Sequence, residues 1–264
     1  MPLIVTWNMQ GGQGDGESKW NHLANRINNP RGFNLRESPS IVLLQECSEV
    51  PAGRQRTPMV WGPIPGAPIG VSRGSINFGT SNNPKCFFIA HQHWGLGNNR
   101  TSFAVLIRTD AFQDPTDPTG RIRLSADLSG GIRTIQPVPG SPIGSRPILG
   151  ISHGMATYYS IHAPSGETTN NTRIYISGML NAIAAGGANF VLGGDFNCEP
   201  YCLYNPTHPN PVPHATLHNS RQLTYANQEY DYFFSNNNVA AGTALHTVQR
   251  NNLASDHRSI DALF

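Results

Sequence analysis

Asp195 and Asn197, within Gly193-Gly194-Asp195-Phe196-Asn197, are the residues whose types and spacing point most directly to chemistry. A carboxylate oxygen and an amide oxygen two positions apart suit a hard divalent cation or a water held for attack. In extended chain they share one side, and the glycines let backbone pass close to a ligand. The same segment also fits a strand that stops in an Asx-turn, and alone it leaves the two readings about equal. Its weight comes from company. Asn8, Glu46, His162 and the pair Asp256-His257 also stand at the ends of separate apolar stretches. A lone histidine or turn aspartate is usually structural, but strands that run together bring such ends to one edge. Asp256 and His257 are adjacent and face opposite ways in extended chain, so Asp231 is the expected partner of His257, fixing its tautomer and raising its basicity.

The elements that must position these residues follow from pattern. Leu3 to Asn8 is short, β-branched and aromatic, and reads as a buried strand before a Gly-rich turn from Gly11 to Gly16. Trp20, Leu23, Ala24 and Ile27 fall at helical spacing and stop at Pro30 and Gly32. Ile41 to Leu44 is a second buried strand that delivers Gln45-Glu46. The Gly/Pro-rich stretch from Pro51 to Pro84 is expected to hide a hairpin. Further strands are expected at Cys86 to Ala90, Phe103 to Ile107, Ile148 to Ile151, Thr157 to Ile161, Phe190 to Leu192, Tyr232 to Phe234 and Thr243 to Val248, with a helix at Asn171 to Ala185. Many strands, two main helices and no repeating βα rhythm predict an α+β fold of two packed sheets with helices outside.

Composition bounds the function. The chain has 264 residues, 27 of them Gly and 21 Pro, without a seam between halves, and reads as a single domain, 1–264. A formal charge of +2 excludes a strongly basic nucleic-acid tail. Of eighteen basic residues only Lys19 and Lys85 are lysines. The arginines can grip phosphate through two hydrogen bonds, although most are expected to be ordinary surface residues. Cys47, Cys86, Cys198 and Cys202 offer no C-x-x-C zinc pair, and Cys198 could bridge Cys202 only if the intervening residues turn. No apolar run reaches membrane-spanning length, and no leader is evident at Met1-Pro2, so a soluble chain is expected.

Trp7-Asn8, Gln45-Glu46, Ser160-Ile161-His162, Gly194-Asp195-Phe196-Asn197, Asp231-Tyr232 and Ser255-Asp256-His257 resemble, in order and spacing, the endonuclease/exonuclease/phosphatase superfamily typified by DNase I. Trp7 to Gly11, Glu17 to Asn21, Asn99-Arg100 and Ser145 to Ile151 are similar to the catalytic B subunits of cytolethal distending toxins. The resemblance implies a DNase I-like four-layer sandwich and a Mg²⁺-dependent endonuclease acting on DNA, although other divalent cations could serve. It implies Glu46 as the main metal carboxylate, with Asn8 beside it and Asp256 either closing the metal's shell or standing just behind it. Asp195 and Asn197 would orient water and hold a phosphate oxygen. His162 and His257 would serve the non-bridging and leaving oxygens, with Asp231 behind His257, and Arg100 and Arg146 would contact phosphates. Delivery subunits, secretion and action in the nucleus of a target cell are implied in the same way.

One departure from DNase I stands out. The glutamate that orients the first histidine there has no counterpart, because no Asp or Glu occurs from Val50 through Thr109. Either another group orients His162 or its role differs. Two other readings compete: a phosphoinositide phosphatase using the same residues, and a binding module that has lost catalysis. Retention of Glu46, His162, Asp195 and His257 counts against the second.

Overall fold

The structure is a computed structural model that describes residues 2–9, 16–33, 37–63, 70–93, 102–109, 131–203, 215–236, 245–247 and 257–264. Two sheets pack face to face. The first runs β13 (Leu245–Thr247), β14 (Ile260–Leu263), β1 (Leu3–Asn8), β2 (Ile41–Gln45), β6 (Ser102–Arg108), β5 (Cys86–His93), β4 (Val71–Asn77) and β3 (Val60–Gly62). The second runs β11 (Thr216–His218), β12 (Asp231–Ser235), β10 (Asn189–Asp195), β9 (Ala156–His162), β8 (Ile148–His153) and β7 (Ile132–Ile135). Helix α1 (Gly16–Asn28) connects parallel β1 and β2, and α2 (Thr169–Ala185) connects parallel β9 and β10.

Ile4, Leu43, Val105, Leu149, Val191 and Phe233 fill the space between the sheets. Outside the first sheet Trp20, Leu23 and Ile27 of α1 meet Val42, Leu44 and Leu106. Outside the second, Tyr175, Ile176, Met179 and Ile183 of α2 meet Ile161, Phe190 and Leu192. Each such aliphatic or aromatic side chain contributes about 1.5–3 kcal/mol on burial. The result is the expected α+β four-layer sandwich of DNase I-like type.

The strands read from sequence recur with longer ends. The Pro51 to Pro84 stretch contains the β3–β4 hairpin, and the strand expected from Thr243 is described only at Leu245–Thr247. The α2 helix starts at Thr169, ahead of the expected Asn171, because Thr168 caps it by accepting a hydrogen bond from Asn171 N–H. Short β7, β11 and β14 carry no clear period-two pattern and were not expected.

A polar bridge crosses the apolar interface. Gln45 Nε2 donates to Ser160 Oγ at 2.8 Å, and Ser160 Oγ donates to the Leu44 carbonyl at 3.0 Å.

Candidate active site

The second sheet supplies the centre of the site. Register places Asp195 of β10 beside His162 of β9 and Asp231 of β12, and residues opposed on neighbouring strands project to the same face. Gly193 and Gly194 make this spacing possible: a Cβ on Gly194 would fall 1.9 Å from the Ile161 carbonyl oxygen, and one on Gly193 would fall 2.5 Å from the Phe233 ring. These glycines serve strand-to-strand packing, a correction to the expectation that they admit a ligand.

Beyond Asp195 the chain turns. Asn197 is left-handed (φ 48°), its N–H donates to Asp195 Oδ1 at 2.9 Å, and its Nδ2 donates to the Ala163 carbonyl at 2.8 Å. The Asx-turn is therefore real, yet it lies within the cluster of polar residues. The two alternatives for this segment coexist, and the simple i, i+2 geometry of extended chain does not apply.

The first sheet contributes Asn8 and Glu46 from the ends of parallel β1 and β2. Asn8 Nδ2 donates to Asp195 Oδ2 at 2.9 Å, joining the sheets across the site. Glu46 adopts the left-handed conformation (φ 51°), where a non-glycine residue costs roughly 1–2 kcal/mol. Its N–H donates to the Ser102 carbonyl at 2.8 Å, holding the bend that turns the carboxylate inward. Glu46 Oε1 lies 3.7 Å from His162 Nε2, and Asp195 Oδ2 lies 3.5 Å from the same nitrogen.

The two histidines differ in what stands behind them. His257 Nδ1 lies 2.9 Å from Asp231 Oδ2, and its Nε2 faces Asp195 Oδ2 at 3.7 Å. His162 instead contacts the Arg146 guanidinium through Nδ1. The Phe103 ring lies edge-on to the His162 imidazole with centroids 6.5 Å apart. Burial, then the Arg146 and His257 charges, push the His162 pKa well below its ordinary value. Arg146 is itself fixed from the helix layer, because Tyr175 Oη donates to its carbonyl at 2.7 Å.

Charge in the cluster is unbalanced. Glu46, Asp195 and Asp231 are all buried. Burial, then the Asp231 charge, raises the Asp195 carboxyl to about 7, against an opposing pull from His257. A divalent cation would relieve this excess. The donors fit a hard ion: the Glu46 carboxylate, and the Asn8 side-chain carbonyl oxygen, whose amide is oriented by the bond from Nδ2 to Asp195. Asp195, Asp231 and His257 also bring one ligand atom each within 4.8 Å of one another. A cation there would compete with the His257–Asp231 hydrogen bond, so the Glu46–Asn8 side fits better. The nearby thiols are poor candidates, since burial holds Cys47 and Cys198 up at about 12. No disulfide joins any of the four cysteines, so Cys198 and Cys202 do not bridge. Asp256 and Arg100 lie outside the described residues.

The endonuclease/exonuclease/phosphatase family model matches residues 5–257. The chain belongs to this family. Within it, the chain is similar to the B subunit of the Escherichia coli cytolethal distending toxin, with 27% identity over 96% of this chain and 88% of that protein. A homolog of the same toxin component from Salmonella typhi is 25% identical over 76% of this chain and 66% of that protein. The Haemophilus ducreyi cytolethal distending toxin structure superposes with a TM-score of 0.74 at 20% identity, covering 99% of this chain and 97% of that chain. A family protein from Leptotrichia buccalis gives 0.56 at 15% identity, covering 100% and 99%. These likenesses agree with the DNase I-like fold. No described helix is long and apolar enough to cross a membrane.

Sequence reasoning missed the supports of the site. Tyr225 stacks on His257 with ring centroids 4.6 Å apart, and Thr224 Oγ1 accepts from Asp231 N–H at 3.0 Å. Both sit in a polar loop without periodicity. The Arg146–His162 contact carried only a partial signal. Gly154-Met155 is a two-residue hairpin turn with His153 opposite Ala156, and extending that register puts position 147 opposite 162, with Arg146 one residue beyond the paired position and ahead of β8.

Proposed function

We propose that the chain is a Mg²⁺-dependent endonuclease that hydrolyses DNA phosphodiester bonds, a single catalytic domain over 1–264 and the active subunit of a cytolethal distending-type genotoxin. The supporting observation is the meeting of Asn8, Glu46, His162, Asp195, Asp231 and His257 at one edge of the two sheets, in a chain of this family and similar to toxin B subunits.

In this reading Glu46 and Asn8, with Asp256, hold the cation, which when bound supplies a Lewis acid at the phosphate oxygens. Asp195, together with Asn197, orients the water whose oxygen attacks phosphorus in line with the leaving oxygen. His257, aligned by Asp231, and His162 donate to the leaving and non-bridging oxygens and stabilise the charge that develops there. Arg100 and Arg146 contact phosphates. Backbone contacts carry no sequence information, so cleavage is expected to show little base preference. The DNA target places the work in the nucleus of a target cell, after secretion and with delivery subunits.

The test is nicking of supercoiled plasmid by purified protein with Mg²⁺, stopped by EDTA, run beside a phosphoinositide substrate. Undiminished nicking by His162→Ala would place the chemistry elsewhere. Phosphate release from the lipid without nicking would replace the nuclease reading.

A further inference from the structure

The partner of His162 determines which of its nitrogens can carry a proton. A guanidinium has five N–H donors and no acceptor. The contact between Arg146 Nη1 and His162 Nδ1 is therefore a hydrogen bond only if Nδ1 is bare, so the neutral ring carries its hydrogen on Nε2. An imidazolium would set an N–H against an N–H and a cation against a cation.

We propose that Arg146 is a positioning residue that holds His162 as a neutral Nε2–H donor, aimed into the gap bordered by Glu46 and Asp195. Arg146 has the rigidity this requires. Its backbone is pinned by the fully buried Tyr175 of α2, and Pro147 fixes the chain as it enters β8. Opposite, Nε2 stands 3.5 Å from Asp195 Oδ2 and 3.7 Å from Glu46 Oε1, beyond the usual length of a hydrogen bond. Among the described residues no acceptor is close enough to saturate this N–H, so it is available to an oxygen of a bound phosphate. The ligand is thus an anionic oxygen, received by a donor that does not have to lose a proton.

The catalytic part of this inference rests on the phosphodiesterase reading above; the tautomer does not. A long-range ¹H–¹⁵N correlation spectrum of the full-length protein labelled in histidine reads the tautomer directly, with the His162 signals assigned by their loss in His162→Gln. The expected wild-type spectrum at neutral pH has Nδ1 unprotonated and Nε2 protonated. Arg146→Met is expected to move the proton to Nδ1 or mix the two forms, while Arg146→Lys, which keeps a charged donor, retains the wild-type pattern. With plasmid, Arg146→Met is expected to lower kcat about 10- to 100-fold, as loss of a ring-orienting partner does, on top of the rise in KM that loss of its phosphate contact brings, with partial recovery of kcat in Arg146→Lys.

A wild-type ring protonated on Nδ1 would overturn the proposal without recourse to a variant. So would an unaltered His162 spectrum in Arg146→Met with a raised KM alone, which is the signature of simple phosphate binding. If no variant or wild type cleaves plasmid while the spectra behave as expected, the nuclease reading fails and the positioning role of Arg146 stands.

Discussion

His162 and His257 approach Asp195 from opposite sides, yet their surroundings are reversed. Behind His257 stands a carboxylate, Asp231, at 2.9 Å, with Tyr225 stacked on the ring. Behind His162 stands a guanidinium, with the edge of Phe103 beside the ring. An acceptor behind Nδ1 allows a ring to take a second proton and keep it, whereas a cationic donor forbids that. Two identical side chains thereby acquire different capacities: His257 can exchange protons with a leaving group or water, and His162 can only offer one fixed hydrogen. The lesson is that the residue behind a histidine, more than the histidine itself, sets its chemistry.

The contrast can be tested at several strengths. His257→Ala is expected to reduce plasmid nicking by about 10²- to 10⁴-fold, the range for a lost proton-handling group, and His162→Ala by about 10²- to 10³-fold, the range for a lost fixed donor to a developing charge. Equal losses with identical pH profiles would erase the distinction. Asp231→Asn leaves His257 in place but removes the anion behind it, and steady-state kinetics should show roughly a 10- to 100-fold fall in kcat.

Acid stability gives a separate test of the environment of His162. The His162 pKa lies well below its unfolded value of 6.5, so its contribution to stability is complete above pH 6.5 and is lost as pH falls toward the folded value. Denaturant melts of His162→Gln should therefore show a shallower loss of stability below pH 6.5. His91, buried against the Ser48 carbonyl at 2.8 Å, is lowered to about 4 mainly by burial and supplies an internal control. At about 1.4 kcal/mol per pKa unit, it accounts for up to about 3 kcal/mol of acid destabilisation that should persist in His162→Gln. The smallest effect is expected from Tyr225→Leu, which removes aromatic stacking of about 0.5–1.5 kcal/mol from His257 and should slow nicking only a few-fold. A loss as large as that of Asp231→Asn would mean that Tyr225 does more than support the ring.

Much of this site could be read from sequence because its residues stand where apolar runs stop. Leu3 to Asn8 and Phe190 to Asp195 announce a buried strand and then break the pattern with a polar group. The pairing of Asp231 with His257 was within reach because adjacent Asp256 and His257 point apart. What could not be read lies in registers and edges. β14 carries Asp261 in mid-strand and is short, so nothing in its composition separates it from a loop. Tyr225 reaches His257 through a single bridge between residues far apart in the chain. The gap left by the missing acidic residue between Val50 and Thr109 was visible, but its answer was a cation rather than another anion. Arg146 precedes β8 and lies outside its pairing with β9, so no strand register announces its contact with His162.

The hydrogen bond from Gln45 to Ser160 has a consequence for the molecule as a mechanism. Apolar faces attract without direction, so the attraction alone does not choose the offset between two sheets. A directional bond through their interface acts as a dowel. It sits one residue before Glu46 and two before His162, so the offset it sets between the sheets is inherited by the gap between those side chains. Alignment of the two halves of the site is thus fixed by carpentry in the core, before any ligand arrives.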